Sequence, residues 1–189
     1  MQRQFALGLA LAVGLAIPVL SQDSDSRDKN VDVRVPAGSL HIGDDADAKK
    51  IGLPLYPGAR LKSNDENRNA ANLSLLTDAF GVKLIVANYT TSDSPAKVLD
   101  FYRDKLKKYG KVLECHSEKH GGDVDVHDDD KDSSKSKELK CDEKSGPVTE
   151  LKVGTEDNQR VVAVEPGDGN KGTSFALVYV YSRGKRGDI

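Results

Sequence analysis

The chain has 189 residues, of which 30 are acidic and 28 are basic, so its formal net charge at pH 7 is -2. That balance lacks the basic field that neutralises phosphates, which excludes nucleic acid as the expected partner. Only 37% of the residues are hydrophobic and 31% are charged, which favours one small domain with a lean core and a highly charged surface.

The first 21 residues have the pattern of a secretory signal peptide. Arg3 is the only charged residue among them, and residues 5–20 are an unbroken run of apolar and small residues. A membrane anchor is the alternative, but 16 residues fall short of the roughly 20 that span a bilayer, and Pro18 would break the last turn. We expect cleavage between Ser21 and Gln22, which leaves a periplasmic or extracellular protein without a stable membrane anchor.

Residues 22–50 are predicted to form a polar leader that contains one short hairpin. Residues 22–30 include no apolar residue, so this stretch cannot bury a core of its own. Residues 31–35 alternate apolar and polar like a half-buried strand, and residues 40–42 could pair with them. From residue 51 onward the apolar residues return, so we place a single domain at residues 51–183 and a basic tail at residues 184–189.

A hairpin and a helix form the predicted centre of this domain. Residues 73–77 and 82–90 flank a turn, and the second stretch is apolar on both faces, as in a central strand. The helix begins after Ser94, which can cap it, with Pro95 at its first position, and it ends at Gly110. Its apolar residues recur at helical spacing and are expected to pack on the sheet. They are Val98, Leu99, Tyr102, Leu106 and Tyr109.

Strand patterns follow the helix up to the end of the domain. They cover residues 111–115, 139–141, 149–153, 160–164 and 174–182. Residues 167–172 match G-x-G-x-x-G, but a strand pattern follows where a phosphate site needs a helix, so we interpret them as a hairpin loop. The fold class is therefore α+β, an antiparallel sheet of about six or seven strands with one main helix packed on one face.

The two cysteines, Cys115 and Cys141, are expected to form a disulfide if the chain is exported. An oxidising compartment and an even cysteine count favour the bridge, and two buried free thiols are the alternative. A bridge across 26 residues would stabilise the fold by about 3 kcal/mol on the chain-entropy model.

A low-complexity insert at residues 117–137 lies between the two cysteines and is predicted to be disordered. Histidines and aspartates in and directly beside the insert suggest a weak metal-binding loop, because imidazole and carboxylate are ligands for Zn, Cu or Ni. The spacing matches no specific metal motif, so a solvated charged loop is the competing interpretation and no cofactor is expected. The candidate ligands are His116, His120, His127, Asp123 and Asp125.

No pattern for nucleophilic catalysis is present. The chain has no G-x-S-x-G elbow, and a Cys-His pair would need a free thiol. Asp100 and Asp104 share a helix face but can pair with Arg103 and Lys108, which makes them surface charges. A hydrolase is therefore the weakest of the functions considered.

Three segments resemble a group of uncharacterised exported bacterial proteins. These are Leu53-Pro54-Leu55-Tyr56-Pro57-Gly58-Ala59, the stretch from Thr91 to Arg103 with its SDSP and VxxFY elements, and residues 158–164. The resemblance implies a bacterial envelope address and the same α+β layout, and it carries no activity.

From these observations we expect an exported, non-catalytic envelope protein that binds a small ligand or another envelope protein. A metal-binding or metal-buffering protein acting through the His/Asp-rich insert is the alternative.

Overall fold

A computed structural model of the protein describes residues 30–62, 69–118, 138–141 and 145–184. In these ranges nine strands form one sheet, and two α-helices accompany it. The strands are β1 (Val31–Val35), β2 (Gly38–Gly43), β3 (Arg60–Leu61), β4 (Ala70–Thr77), β5 (Gly81–Thr91), β6 (Leu113–Ser117), β7 (Val148–Thr155), β8 (Asn158–Pro166) and β9 (Thr173–Arg183). The helices are α1 (Ala48–Ile51) and α2 (Pro95–Leu106), and a 3-10 turn at Lys107–Tyr109 extends α2.

All strand pairs are antiparallel, and the spatial order is β1-β2-β4-β5-β9-β8-β7-β6, with β3 also paired to β5. The longest ladder joins β5 and β9, from Gly81 opposite Arg183 to Thr91 opposite Thr173. Because β5 is central and β6 lies at the far edge, the connection through α2 crosses the sheet, and α2 contacts β7 and β8. We call the side that carries α2 the helix face.

The main core lies between α2 and the helix face of the sheet. Val98, Tyr102 and Leu106 of α2 are fully buried, as the helical spacing predicted, and Leu99 is partly buried. Ile85, Ala87 and Tyr89 of β5 belong to the same core, together with residues of β7, β8 and β9. The prediction that α2 packs on the sheet is therefore confirmed.

Aromatic rings fill the centre of this core. The Tyr102 ring lies 5.0 Å from Phe101 and 5.7 Å from Phe175, measured between centroids, and Phe175 stacks on Tyr89 at 5.5 Å. Tyr56 meets Phe101 edge-on at 5.2 Å. Such contacts add about 0.5–1.5 kcal/mol per pair beyond the burial of their area.

The opposite face of the sheet is apolar as well. Its β7, β8 and β9 portion is buried, and that part includes Val148, Ala163 and Val178. On β1, β2, β4 and β5 the same face carries exposed aliphatic side chains. These are Val31, Val33, Val35, Ile42, Leu73 and Val82.

Cys115 and Cys141 form a disulfide, which confirms the predicted pairing. Cys115 lies in β6 and is buried on the opposite face, next to Ser117 and Glu150. The bridge fixes residues 138–141 against this edge of the sheet.

The antiparallel α+β class is confirmed, but the strand count is corrected from six or seven to the nine found in the described residues. Residues 139–141 are not a strand: Glu138 forms one isolated bridge to Thr155, and the disulfide holds the segment. The sequence also missed α1 and β3, each too short to give a periodic signal.

The hairpin predicted in the leader is present, and it continues the main sheet. β2 pairs with β4 along six residues, from Gly38 opposite Thr77 to Gly43 opposite Asn72. The boundary expected between residues 50 and 51 falls inside α1. The polar composition of residues 22–50 suggested that they lie outside the domain. The polar side chains of the hairpin instead lie on the part of the sheet that α2 does not cover.

The start of α2 differs from the prediction in one detail. Pro95 occupies its first turn as expected, but the side chain of Ser94 makes no capping hydrogen bond. The carboxylate of the preceding Asp93 instead binds Lys97 Nζ at 3.0 Å and accepts a hydrogen bond from the Tyr56 hydroxyl at 2.9 Å. The hydrogen bond to Tyr56, whose ring is buried, holds Asp93 in place just before the start of α2.

The signal peptide at residues 1–21, with its cleavage site at Ser21 and Gln22, lies outside the described residues. The same is true of residues 119–137 of the insert and 185–189 of the tail. None of the helices in the described ranges is long and apolar enough to cross a membrane.

We predict that Leu106→Ala lowers the melting temperature markedly, because Leu106 is fully buried at the end of α2. Truncating such a side chain costs about 2–5 kcal/mol of unfolding free energy. Lys107→Ala removes an exposed side chain from the next position and should change stability by no more than about 0.5 kcal/mol. Thermal unfolding of both variants is the measurement, and equal, small effects would contradict the packing of α2 on the sheet.

We predict that the double variant Cys115→Ser/Cys141→Ser loses about 3 kcal/mol of stability, because the bridge closes a 26-residue separation. The native protein should resist alkylation until it is reduced. Intact-mass analysis and denaturant unfolding test the two statements. Alkylation of two thiols without reductant would show that the bridge is absent.

Candidate functional site

A cleft of about 790 Å³ opens between α1 and the end of α2. Its floor is mostly apolar and includes Leu53, Pro54 and Leu55, with the edge of Tyr89. Three lysines also line the cleft, and they are Lys49, Lys105 and Lys108. We call this feature the lysine cleft. Its volume lies within the roughly 300–1,000 Å³ of small-molecule sites.

The wall formed by α1 is fixed by hydrogen bonds at both of its ends. Asp47 caps α1 by accepting a hydrogen bond from Lys50 N at 2.7 Å. Ala48 N donates to the Tyr89 hydroxyl at 3.0 Å. Gly52 ends the helix at φ +83°, a left-handed conformation that glycine adopts at little cost. A helix of four residues would not persist alone, so these contacts determine its position.

The backbone carbonyl groups at the C-terminal end of α1 accept hydrogen bonds from side chains that are distant in the sequence. Arg160 Nε donates to Ile51 O at 3.0 Å, and the Tyr109 hydroxyl donates to Gly52 O. The Arg160 guanidinium also lies 4.1 Å from the Tyr109 ring and 4.7 Å from the Tyr179 ring. Through the hydrogen bond and these cation–π contacts, Arg160 connects α1, the turn after α2 and the sheet behind the cleft.

The cleft floor depends on Tyr102. Its hydroxyl donates to Pro54 O at 3.2 Å and accepts from Tyr56 N at 3.1 Å. The extended segment between Leu53 and Tyr56 is thereby fixed on α2. Burial raises the pKa of Tyr102, so this hydroxyl keeps its proton and remains a donor. Leu55 stays 45% exposed at the cleft.

Two of the cleft lysines, Lys105 and Lys108, lie close to aromatic rings. Lys105 Nζ lies 5.4 Å from the Phe101 ring and 3.3 Å from Asp104. Lys108 Nζ lies 4.8 Å from the Tyr109 ring. The C-terminus of α2 carries a partial negative charge that these cations offset. An apolar floor beside ammonium groups can receive a molecule that has both an apolar body and an anionic group.

A second polar cluster lies on the helix face beyond α2, and we call it the His41 cluster. His41 Nδ1 lies 2.8 Å from Asp32 Oδ1, and His41 Nε2 lies 3.0 Å from Asp45 Oδ1. Asp45 also binds Lys50 Nζ and accepts from Asn72 Nδ2 at 3.1 Å. A cavity of about 250 Å³ adjoins the cluster. Asn72 is buried, and its Oδ1 has no hydrogen-bond partner in the described ranges.

Hydrogen bonds to the two carboxylates favour the doubly protonated form of His41. Hydrogen bonds to Asp32 and then Asp45 raise the pKa of His41 above its usual value of 6.5. The hydrogen bond from Lys50 holds the pKa of Asp45 well below its usual range. Because ionised carboxylates only accept hydrogen bonds, both imidazole nitrogens act as donors. His41 therefore has no free nitrogen with which to activate a hydroxyl.

The candidate metal ligands can be compared with the structure only at His116. This residue is exposed on β6, and its Nδ1 lies 3.5 Å from Thr149 Oγ1. His120, His127, Asp123 and Asp125 lie outside the described residues. Among the residues that the structure does describe, no group of three or more His, Cys, Asp or Glu side chains is placed to hold a metal ion.

Sequence reasoning missed both the lysine cleft and the His41 cluster. The lysines near the end of α2 carried a signal, but it was interpreted only as charge complementing the helix dipole. Lys49 belongs to a helix that the sequence did not reveal. Asp32 and His41 alternate with apolar residues along the chain, and this alternation predicted strands but gave no sign that the two side chains form a cluster.

Comparison of the chain with family models, with curated proteins and with solved structures found no match.

We predict that the stabilising contribution of His41 is present below about pH 6.5 and is lost as the pH rises through its raised folded-state pKa. The difference in unfolding free energy between the native protein and His41→Gln should therefore shrink from pH 6 to about pH 9. Denaturant unfolding at several pH values measures it. In parallel, NMR titration should show a lower pKa of His41 in Asp32→Asn. A pKa that does not change in that variant would contradict the geometry of the cluster.

Proposed function

We propose that the protein is an exported, non-catalytic ligand-binding domain of the bacterial envelope. Its ligand is an amphiphilic anion, a molecule with an acyl-like apolar chain and a carboxylate or phosphate group. The lysine cleft is the binding site. The observation that carries the proposal is the combination of an open apolar floor with Lys49, Lys105 and Lys108 along the same cleft.

The chemistry of the cleft matches this ligand class in two ways. Removing an apolar chain from water contributes about 25 cal/mol for each Å² buried, and the floor at Leu53, Pro54 and Leu55 offers such contact. The ammonium groups then select a negative head group. Asp47 also lines the cleft, but its carboxylate is engaged in capping α1.

The remaining features favour binding over catalysis and export over a reducing compartment. His41 donates with both nitrogens and therefore lacks the free lone pair that a general base needs. The Cys115–Cys141 bridge is typical of oxidising compartments, which agrees with the secretory pattern of residues 1–21.

The test uses 11-(dansylamino)undecanoic acid, a fluorescent fatty acid, titrated into the purified protein. We predict saturable binding that weakens roughly three- to tenfold in Lys105→Gln/Lys108→Gln, because two partly exposed charge pairs are removed. Leu55→Ser should also weaken binding, since it removes apolar contact from an exposed position without opening the core.

Lys107→Gln is the matched control, because Lys107 lies between the two cleft lysines along the chain but does not line the cleft. It should leave the affinity unchanged. Dodecyl maltoside, which has an apolar chain and a neutral head, should compete poorly with the probe. No saturable binding, or equal loss of affinity in Lys107→Gln, would refute the assignment of the cleft.

A further inference from the structure

The outer edge of the sheet at β1 has features of an interface between two copies of the chain. β1 pairs with β2 on its inner side, and no described strand pairs with its outer side. All five of its residues are exposed, with Val31, Val33 and Val35 at 52%, 46% and 57%. An edge of this kind presents unpaired N–H and C=O groups that can add another strand.

The register of the β1–β2 hairpin determines which backbone groups point outward. Val35 pairs with Gly38 across a two-residue turn, so this pair and every second pair after it exchange hydrogen bonds within the hairpin. Those pairs contain Val31, Val33 and Val35. The backbone N–H and C=O groups of Asp32 and Arg34 consequently point away from β2.

The sequence of β1, Val-Asp-Val-Arg-Val, is symmetric in its valines and antisymmetric in its charges about Val33. We propose that two copies of this chain pair through β1, antiparallel and centred on Val33. Asp32 of each copy then lies opposite Arg34 of the other, and these are the two outward-facing residues. Each Asp32–Arg34 pair can exchange two backbone hydrogen bonds and bring opposite charges together.

Other registers are disfavoured by charge. An antiparallel pairing centred on Asp32 places two carboxylates opposite each other, and one centred on Arg34 places two guanidinium groups opposite each other. A shift by one residue sets valine against charge and moves the apolar side chains to the wrong face. The pairing centred on Val33 places opposite charges together and keeps the valines of both copies on the same face of the sheet.

Both faces of the joined sheet remain continuous in this arrangement. On the helix face, His41 lies opposite Asp32, and Asp32 Oδ1 accepts from its ring. The second carboxylate oxygen remains for the guanidinium of the other copy, and Arg34 makes no ion pair within the described ranges. On the opposite face, Val33 meets Val33 beside Leu40, which covers part of the exposed aliphatic surface.

Charged side chains on an edge strand can also serve to prevent pairing, so the test must separate the two roles. A contact of one short strand is smaller than a standard interface, and we expect a dissociation constant in the ~10–100 µM range. Sedimentation equilibrium between ~1 µM and ~500 µM should show a reversible monomer–dimer equilibrium for the native protein. A monomer at every concentration would overturn the proposal.

Charge reversal tests the register directly. Arg34→Asp leaves every described ion pair intact and should weaken dimerisation by about tenfold or more, since two attractive pairs become repulsive. Asp32→Arg should do the same. An equimolar mixture of the two variants should form a heterodimer, detected by native mass spectrometry, because each Asp then meets an Arg again.

Glu156→Arg, in the exposed turn between β7 and β8, is the control and should dimerise like the native protein. Thermal unfolding of each variant shows that it is folded, which matters for Asp32→Arg because it also removes the contact with His41. Dimerisation that persists in Arg34→Asp would place the interface elsewhere. Two folded variants that form no heterodimer would refute the pairing about Val33.

Discussion

The hydroxyl and ring of Tyr102 make the contact on which most of this structure depends. The ring lies between α2 and β9, close to Phe101 and Phe175, and the hydroxyl binds the backbone at Pro54 and Tyr56 in both hydrogen-bonding directions. One buried side chain therefore joins the helix, the sheet and the extended segment that precedes β3. A chain with few large apolar residues obtains a defined core by concentrating its aromatic rings at this point.

The helix covers only part of its face of the sheet, and this incomplete cover creates the polar features. Over β7, β8 and β9 the alternate residues are aliphatic or aromatic and fill the core. On β1 and β2 the corresponding positions carry polar residues such as Asp32 and His41, which form the His41 cluster with Asn72 of β4. The same face of the sheet is therefore apolar where α2 packs on it and carries the charged His41 cluster where α2 does not cover it.

The far edge of the sheet is stabilised in a different way. Glu150 and Lys152 are buried on the face opposite α2, and their charged atoms lie 3.2 Å apart. A buried pair of this kind recovers its desolvation cost only through good geometry and further hydrogen bonds, and Ser117 supplies one to Glu150. The disulfide at Cys115 ties the same edge to residues 138–141. Polar and covalent contacts here supplement a small hydrophobic core.

The sequence by itself determined the elements whose signal is local. The period of Val98, Tyr102 and Leu106 predicted α2, alternation predicted most of the strands, and the two cysteines predicted the bridge. Only the tertiary structure decided that the hairpin of β1 and β2 joins the main sheet, that a four-residue helix forms at Ala48–Ile51, and that Lys49 meets Lys105 and Lys108 at one cleft. Each depends on partners far away in the chain: β2 pairs with β4, and the end of α1 is bound by Arg160 and Tyr109. A local sequence pattern does not identify such partners.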